Sequence, residues 1–241
     1  MSDRTWPLPG IPWVMRMTWS ELLFAHWPVE PDLVSRHLPT GLSLDLRDGV
    51  AWVGVVPFLM SGVAPRCMPS LPYLGRFLEL NVRTYVVYEG KPGVWFFSLD
   101  AANPIAVRIA RATFNLPYMD ARMSLEHHDS GIYYRSTRTH RSEPAAVFAA
   151  SYRGFGEPFQ AGDGTLERWL TGRYCLYSAD RKGNIYRGEI NHAPWKLHSA
   201  NCHIDINTMG EPLGFEFSTE PHLLYAASTE VRAWPIFRCT A

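Results

Sequence analysis

Short stretches of alternating apolar and polar residues, separated by turn residues, run through most of this chain. Because successive side chains of a strand point to opposite faces, this alternation predicts strands. Turn residues such as Asp48-Gly49 join neighbouring stretches, as they do in hairpins. At this even spacing, the pattern predicts an antiparallel sandwich or barrel. The predicted strands are 15–25, 42–46, 51–60, 78–88, 94–99, 125–128, 132–139, 174–179, 185–190, 196–204, 214–217 and 229–238.

Three short helices and two irregular segments complete the predicted elements. Residues 1–14 are predicted to form an irregular arm, because they contain three prolines and a glycine. Proline and glycine also interrupt residues 61–76, which we expect to form a loop long enough to cover a cavity. The predicted helices, two of which have a proline near their first turn, are 28–39, 103–114 and 165–170.

The length and composition indicate one compact unit. A chain of 241 residues is short for two domains, so residues 15–241 are expected to form a single domain. Hydrophobic residues make up 46% of the chain and charged residues 19%, which argues against disorder. The 23 basic and 23 acidic residues balance, so nothing favours a nucleic acid or an anionic membrane as partner. A small-molecule ligand is the expectation.

Cysteine and histidine patterns favour a cytoplasmic protein without a bound metal or cofactor. The cysteines Cys67, Cys175, Cys202 and Cys239 are widely spaced, as reduced thiols of a cytosolic protein are. The first residues lack a signal-peptide pattern, and no apolar run is long enough to span a membrane. His192, His198 and His203 fit no zinc motif and cannot share one face of a strand.

Four stretches of sequence carry a resemblance to a known family. They are LELNVRTYV (78–86), FSLDAANPIAVRIARATFNLPYMDARM (97–123), the segment from RYCLYS to NHAPWKLHSA (173–200), and LLYAASTEVRAWPI (223–236). In this order they resemble the YqjF-like family of uncharacterised bacterial proteins, which is similar to acetoacetate decarboxylase. The resemblance implies a β-rich α+β fold: a single-domain, mixed or antiparallel, cone-shaped β-barrel with a few short helices, around a small hydrophobic cavity.

The same resemblance argues against the decarboxylase mechanism. In acetoacetate decarboxylase, the lysine that forms a Schiff base lies in a segment reading G-R-E-x-x-G-x-P-K-K. The corresponding residues here are 110–119, in which Arg111 and Pro117 match but Tyr118 and Met119 occupy the two lysine positions. A phenol and a thioether cannot form an imine, which requires a primary amine. The resemblance therefore implies a fold and a ligand cavity without the family's imine chemistry.

A polar stripe is predicted on strand 78–88. Glu79, Asn81, Arg83 and Tyr85 share one face of this strand, and apolar residues occupy the other. The stripe either faces solvent, with an interaction between Glu79 and Arg83, or faces the cavity. In the cavity, Arg83 would anchor a carboxylate and Glu79 would serve as an acid or base.

Three further candidates lie between the strand 94–99 and residue 118. Asp100 is expected to cap the following helix or its entry turn, and only secondarily to be a catalytic carboxylate in contact with the ligand. On that helix Arg111 is a better cavity candidate than Arg108, because its family counterpart precedes the reactive segment. Tyr118 stands where the family has its nucleophile, so its hydroxyl is either a packed group or a proton donor to a bound carbonyl.

The last candidates lie near the end of the predicted strand 185–190 and the start of 196–204. His192 and Lys196 share a parity, and Trp195 has the opposite one; His192 and Trp195 are counted as ligand-binding candidates. Lys196 is the one plausible relocated amine, because Lys91 and Lys182 sit in turns. A surface lysine is the alternative reading of Lys196.

Three functional hypotheses follow. The first is an enzyme that acts on a carbonyl or carboxylate compound, as a lyase or hydrolase, without a Schiff base. The second is a non-catalytic barrel that binds such a compound. The third is a structural subunit whose aromatic surface makes homo-oligomer contacts. The sequence supports the first two equally, because apolar residues around a polar centre suit both.

Overall fold

A computed structural model describes residues 4–70 and 72–239 and shows one hydrogen-bonded sheet of twelve strands. Residues 1–3 of the predicted arm, residue 71 of the predicted loop and residues 240–241 of the predicted domain lie outside the described residues. The strands are β1 (Met15–Val29), β2 (Ser43–Leu44), β3 (Ala51–Pro65), β4 (Arg76–Tyr88), β5 (Lys91–Ala101), β6 (Tyr118–His128), β7 (Gly131–Arg138), β8 (Val147–Phe159), β9 (Cys175–Ala179), β10 (Ile185–His192), β11 (Leu197–Asn207) and β12 (His222–Arg238).

The helices are short. They are α1 (Pro31–Ser35), α2 (Pro104–Phe114) and α3 (Leu166–Thr171), with one 3-10 turn at Glu211–Leu213. Asn103 begins α2, since its side chain accepts hydrogen bonds from the backbone N–H groups of Ile105 and Ala106. No helix within the described ranges is both long and apolar enough to cross a membrane.

The sheet closes on itself twice. One closed ring runs β12–β1–β3–β4–β5–β9–β10 and returns to β12. A second ring runs through the same β12–β1–β3–β4–β5 wall and returns by β6, β7, β8 and β11. Strand β5 pairs in parallel with β6 and with β9, and the other strand pairs are antiparallel. The expected β-rich, mixed, barrel-like fold with a few short helices is therefore confirmed.

The shared wall separates an apolar core from a cavity. The first ring contains seven strands and the second contains nine. Because side chains alternate along each strand, one face of β1, β3 and β4 points into the nine-stranded ring and the other points into the seven-stranded ring. Leu23, Val55 and Val82 belong to the main apolar core on the first face. Phe24 and Val56 point to the second face, where the cavity lies.

Two bulges adjust which side chains reach the cavity. On β5, Phe97 is an extra residue between the pairs Val82–Ser98 and Arg83–Phe96, so both Phe96 and Leu99 line the cavity although their parities differ. Phe97 instead packs against the main apolar core on the opposite face of the sheet. On β1 the parity changes at an extra residue around Glu21, whose φ is 56°.

Several predicted elements differ from the structure. Strand β8 was not predicted, because its small alanines and its glycines and proline carry little strand signal. The predicted strand 214–217 is wrong: the segment is an irregular turn that brings Phe217 onto the ring of Trp27. Of the predicted loop 61–76, residues 61–65 belong to β3 and residue 76 begins β4. The predicted helix 28–39 is reduced to α1 because β1 continues to Val29.

Candidate functional site

A cavity of about 310 Å³ lies inside the seven-stranded ring. Side chains of β1 and β3, such as Met17 and Phe58, form apolar walls. Helix α2 covers one side, because Ala106, Ile109 and Ala110 are spaced three and four residues apart and therefore share a face. The volume is at the lower end of that of ligand-binding pockets.

The polar stripe of β4 faces this cavity. Glu79, Asn81 and Arg83 all line it, and Glu79 and Asn81 are only 2% and 5% exposed. The solvent-facing alternative for the stripe is therefore wrong. The side-chain amide oxygen of Asn81, Oδ1, is buried and accepts no hydrogen bond from the described part of the chain. Such a buried acceptor without a partner is uncommon in native proteins.

Glu79 and Tyr118 form a buried hydrogen-bonded pair at one end of the stripe. The Tyr118 hydroxyl donates to Oε2 of Glu79 at 2.9 Å. Burial raises the pKa of Glu79 to about 8, although the Tyr118 hydrogen bond opposes this change. Burial and the neighbouring Glu79 raise the pKa of Tyr118 well above its usual value. Glu79 is therefore protonated at neutral pH and titrates slightly above it.

Arg83, four residues along β4, brings a positive charge to the other end. Its guanidinium lies 3.4 Å from the Tyr85 hydroxyl and 3.5 Å from the Leu170 carbonyl oxygen, both long for hydrogen bonds. The Nε–H is buried and has no acceptor among the described residues. No acidic side chain in those residues forms an ion pair with Arg83.

Arg173 places a second guanidinium beside the first. It lies over the ring of Tyr85 at 4.7 Å, and Arg83 lies 5.7 Å from the same ring. Asp45 forms an ion pair with Arg173, yet the Nη2 group of Arg173 is buried without an acceptor in the part of the chain described here. Burial lowers the pKa of Arg173, and Asp45 opposes that change. Two arginines and one aspartate leave this end of the cavity with an excess positive charge.

His26 adds no further charge to this end. The Tyr85 hydroxyl donates its single hydrogen to the Leu170 carbonyl at 2.8 Å, so Nε2 of His26, 2.7 Å away, is the donor to Tyr85. Burial and the nearby charge of Arg83 lower the pKa of His26 well below its ordinary value. His26 is therefore neutral and holds the Tyr85 phenol in place.

His192 and Trp195, the two ligand-binding candidates beside Lys196, both line the cavity. Nδ1 of His192 donates to the carbonyl of Ala193 at 2.7 Å, and its ring stacks on Tyr174 at 4.7 Å. The Trp195 indole N–H donates to the Thr171 carbonyl at 3.0 Å. These contacts fix both rings as walls of the cavity.

Arg111 and Asp100 do not reach the cavity, which corrects two expectations. Arg111 is exposed on the outer side of α2, where it donates to the Tyr118 carbonyl at 2.6 Å and so ties the helix to β6. Asp100 is fully buried and forms a bidentate ion pair with Arg138. It does not cap α2, because Asn103 does.

Lys196 lies outside the cavity, on an exposed groove of the outer surface. Residues 193–196 are irregular backbone between β10 and β11, so the parity that Lys196 shares with the cavity-lining His192 does not bring it to the cavity. Lys91 and Lys182 are also absent from the residues that line the cavity in the described structure. The hypothesis that Lys196 supplies an amine to the cavity is therefore wrong, and the alternative, that Lys196 is a surface lysine, is confirmed.

Sequence reasoning missed Arg173, the second guanidinium. It directly precedes the predicted strand 174–179, and an arginine at the end of a strand is usually exposed to solvent. The one available signal was its position at the start of the RYCLYS stretch. Its burial depends on the closing of β9 and β10 around the cavity, which a single strand pattern does not reveal.

Comparison with known proteins gives a family match over most of the chain. The family model DUF2071, whose description is "Uncharacterized conserved protein", matches residues 16–230. The chain is also 42% identical over 225 residues to the uncharacterized protein YqjF of Bacillus subtilis (strain 168), covering 93% of this chain and 92% of that protein.

Solved structures with little sequence similarity share the fold. The enduracididine biosynthesis enzyme MppR complexed with pyruvate has a TM-score of 0.65 at 13% identity, over 98% of this chain and 92% of that one. An acetoacetate decarboxylase-like enzyme from Sphingomonas wittichii RW1 has a TM-score of 0.66 at 11% identity, over 100% and 99%. Acetoacetate decarboxylase from Legionella pneumophila subsp. pneumophila str. Philadelphia 1 has a TM-score of 0.63 at 12% identity, over 98% and 93%.

Proposed function

This chain belongs to the DUF2071 family, the YqjF-like family that its sequence resembles, and we propose that its cavity binds a small carboxylate or carbonyl compound. The observation that carries the proposal is Arg83. Its guanidinium faces the cavity and has no carboxylate partner in the described residues. A partly buried cation without a counter-ion is costly, and a ligand carboxylate would offset that cost.

The neighbouring Arg173 strengthens the case for an anionic ligand. Its Nη2 group is buried without an acceptor in the described residues, and the guanidinium groups of Arg173 and Arg83 both lie against the ring of Tyr85. Guanidinium groups suit carboxylates because two parallel N–H donors match two oxygens. The structural neighbour MppR has been solved in complex with pyruvate, a small carboxylate with a carbonyl group, and this supports the proposal of a similar ligand class here.

Glu79 favours an enzyme over a passive binder. A carboxyl group whose pKa is about 8 exchanges its proton near neutral pH, which is the requirement for a general acid or base. The reaction we propose is transfer of a proton from a carbon next to a carbonyl to the Glu79 carboxylate, leaving an enolate. No lysine lines the cavity within the described residues, so the mechanism contains no imine.

Binding is tested by calorimetry with a panel of carboxylic acids, each paired with its uncharged methyl ester. The wild-type protein should bind acids and reject esters. Arg83→Gln should bind the acids roughly tenfold to a hundredfold more weakly, the loss expected of a charged hydrogen bond. Arg135→Gln, which removes the same charge from an exposed position on β7, should bind like wild type. Equal binding of acids and esters would contradict the proposal.

Catalysis is tested by NMR detection of deuterium uptake from heavy water into bound keto acids. We expect uptake by the wild type that rises with pH through about 8 and is abolished in Glu79→Gln. Borohydride should trap no adduct on a lysine. Binding without uptake would favour the non-catalytic barrel, and absence of both would favour the structural subunit.

A further inference from the structure

The cavity has one polar wall and several apolar ones. Its charged and amide groups lie on β4, at Glu79, Asn81 and Arg83, with Arg173 beside the last of these. The rest of the lining is mostly aliphatic, aromatic or thioether, and includes Met15, Met17 and the inner face of α2. Its other polar side chains are those of Tyr118, Thr171, Cys175 and His192. A ligand that carried charge at both ends would bring a second charge against these apolar walls.

The two polar ends are far apart along β4. Glu79 and Arg83 are four residues apart, and a strand advances by about 3.3 Å per residue, so their Cα atoms are separated by roughly 13 Å. A keto acid of three or four carbons seated on the arginines would not reach Glu79, so a keto acid on which Glu79 acts must be longer. A ligand that fills the whole cavity is longer.

The volume supports the same conclusion. The cavity of about 310 Å³ is roughly ten times the ~30 Å³ that a water molecule occupies in the liquid. It therefore accommodates about ten non-hydrogen atoms or more. Neutral Glu79 at the far end is compatible with an uncharged ligand body.

We propose that the cavity takes a monocarboxylate with a mainly apolar chain of about six to ten carbons, and that in a substrate of the proposed reaction the carbonyl group lies toward the Glu79 end of this chain. The carboxylate sits on Arg83 and Arg173, and the chain runs past Asn81 toward Glu79, Tyr118 and the inner face of α2. This inference rests on the proposed binding function and names its substrate class.

Calorimetry with butanoate, hexanoate, octanoate and decanoate at pH 7 tests the length of the ligand. Affinity should rise about fourfold for each added methylene that enters the cavity, which is the factor expected for burial of one CH₂ group. Octanedioate, which has the length of octanoate and a second carboxylate, should bind roughly a hundredfold more weakly because its second charge would be buried at the Glu79 end, away from the two arginines.

A matched pair of variants on α2 tests where the chain ends. Ala110 lines the cavity and Ala112 is exposed on the same helix. Ala110→Phe should weaken octanoate binding roughly tenfold while leaving butanoate binding unchanged. Ala112→Phe should change neither affinity.

The outcomes separate this inference from the binding function. Affinities that do not depend on chain length, or equal binding of octanoate and octanedioate, would overturn the inference and leave the proposed function standing. If no acid in either panel bound, the proposed function would fail and this inference with it. If Ala110→Phe did not fold, the chain-length series in the wild-type protein would still decide.

Discussion

The sharpest consequence of the structure concerns the Glu79→Gln substitution. Glutamine has the shape of a protonated glutamate and can still accept the Tyr118 hydrogen bond, but it never ionises. The substitution therefore removes a titrating group from the cavity while it preserves the packing. Comparison of the two proteins isolates the effect of the Glu79 charge on the free energy of unfolding.

The sign of the effect follows from the pKa of Glu79 in the folded and unfolded chains. The folded value is about 8 and the ordinary value is 4.5, so the folded protein holds this proton more tightly. The associated stability is complete below pH 4.5 and is lost as the pH rises through about 8. Above that range, the folded protein must bury an ionised carboxylate.

The magnitude is large. At about 1.36 kcal/mol for each pH unit between the two pKa values, the wild type should lose about 4 kcal/mol relative to Glu79→Gln between pH 5 and pH 9. A domain is typically stable by only about 5–15 kcal/mol, so the difference should be evident.

The assay is urea unfolding of both proteins across pH 5 to pH 9. Glu143→Gln, which removes an exposed carboxylate, serves as the control and should follow the wild type. Parallel loss of stability in the wild type and Glu79→Gln would refute the reasoning, because it would mean that Glu79 is not held protonated in the folded state. Tyr118→Phe should move the loss to higher pH, since the Tyr118 hydrogen bond lowers the Glu79 pKa.

Three further predictions concern stability. Arg138→Met leaves the buried Asp100 without its ion-pair partner and should cost about 3–5 kcal/mol in urea unfolding; a loss below 1 kcal/mol would contradict this role. Gly54→Ala would place a Cβ atom 2.7 Å from Nε2 of His26 and should lower stability by about 1–3 kcal/mol, measured by thermal unfolding, whereas an unchanged melting point would show that the ring moves freely. Asn103→Ala removes the α2 cap and should cost about 1 kcal/mol in urea unfolding, and no change would mean that the cap is dispensable.

The polar stripe of β4 was predictable because strand geometry alone fixes which side chains share a face. Glu79, Asn81 and Arg83 alternate with apolar residues, and this pattern needs no knowledge of the rest of the chain. Which of the two faces meets the cavity was not predictable, since that depends on the closing of two rings by strands distant in sequence.

Other site residues depend on features that a local pattern does not contain. The Phe97 bulge brings Leu99 to the cavity, and strand parity alone would have directed it elsewhere. Arg111 was expected in the cavity by analogy with the family segment, but the orientation of α2 turns it outward. Asp100 stood near a helix start in the sequence, and its true partner, Arg138, lies 38 residues away.

A crystal structure of the protein with 8-bromooctanoate would test the central claim most directly, because anomalous scattering locates the bromine independently of the carboxylate. The account predicts carboxylate oxygens within hydrogen-bonding distance of Arg83 and Arg173, and the bromine among the apolar side chains near α2. A reversed ligand, or a bromine found only outside the seven-stranded ring, would contradict it.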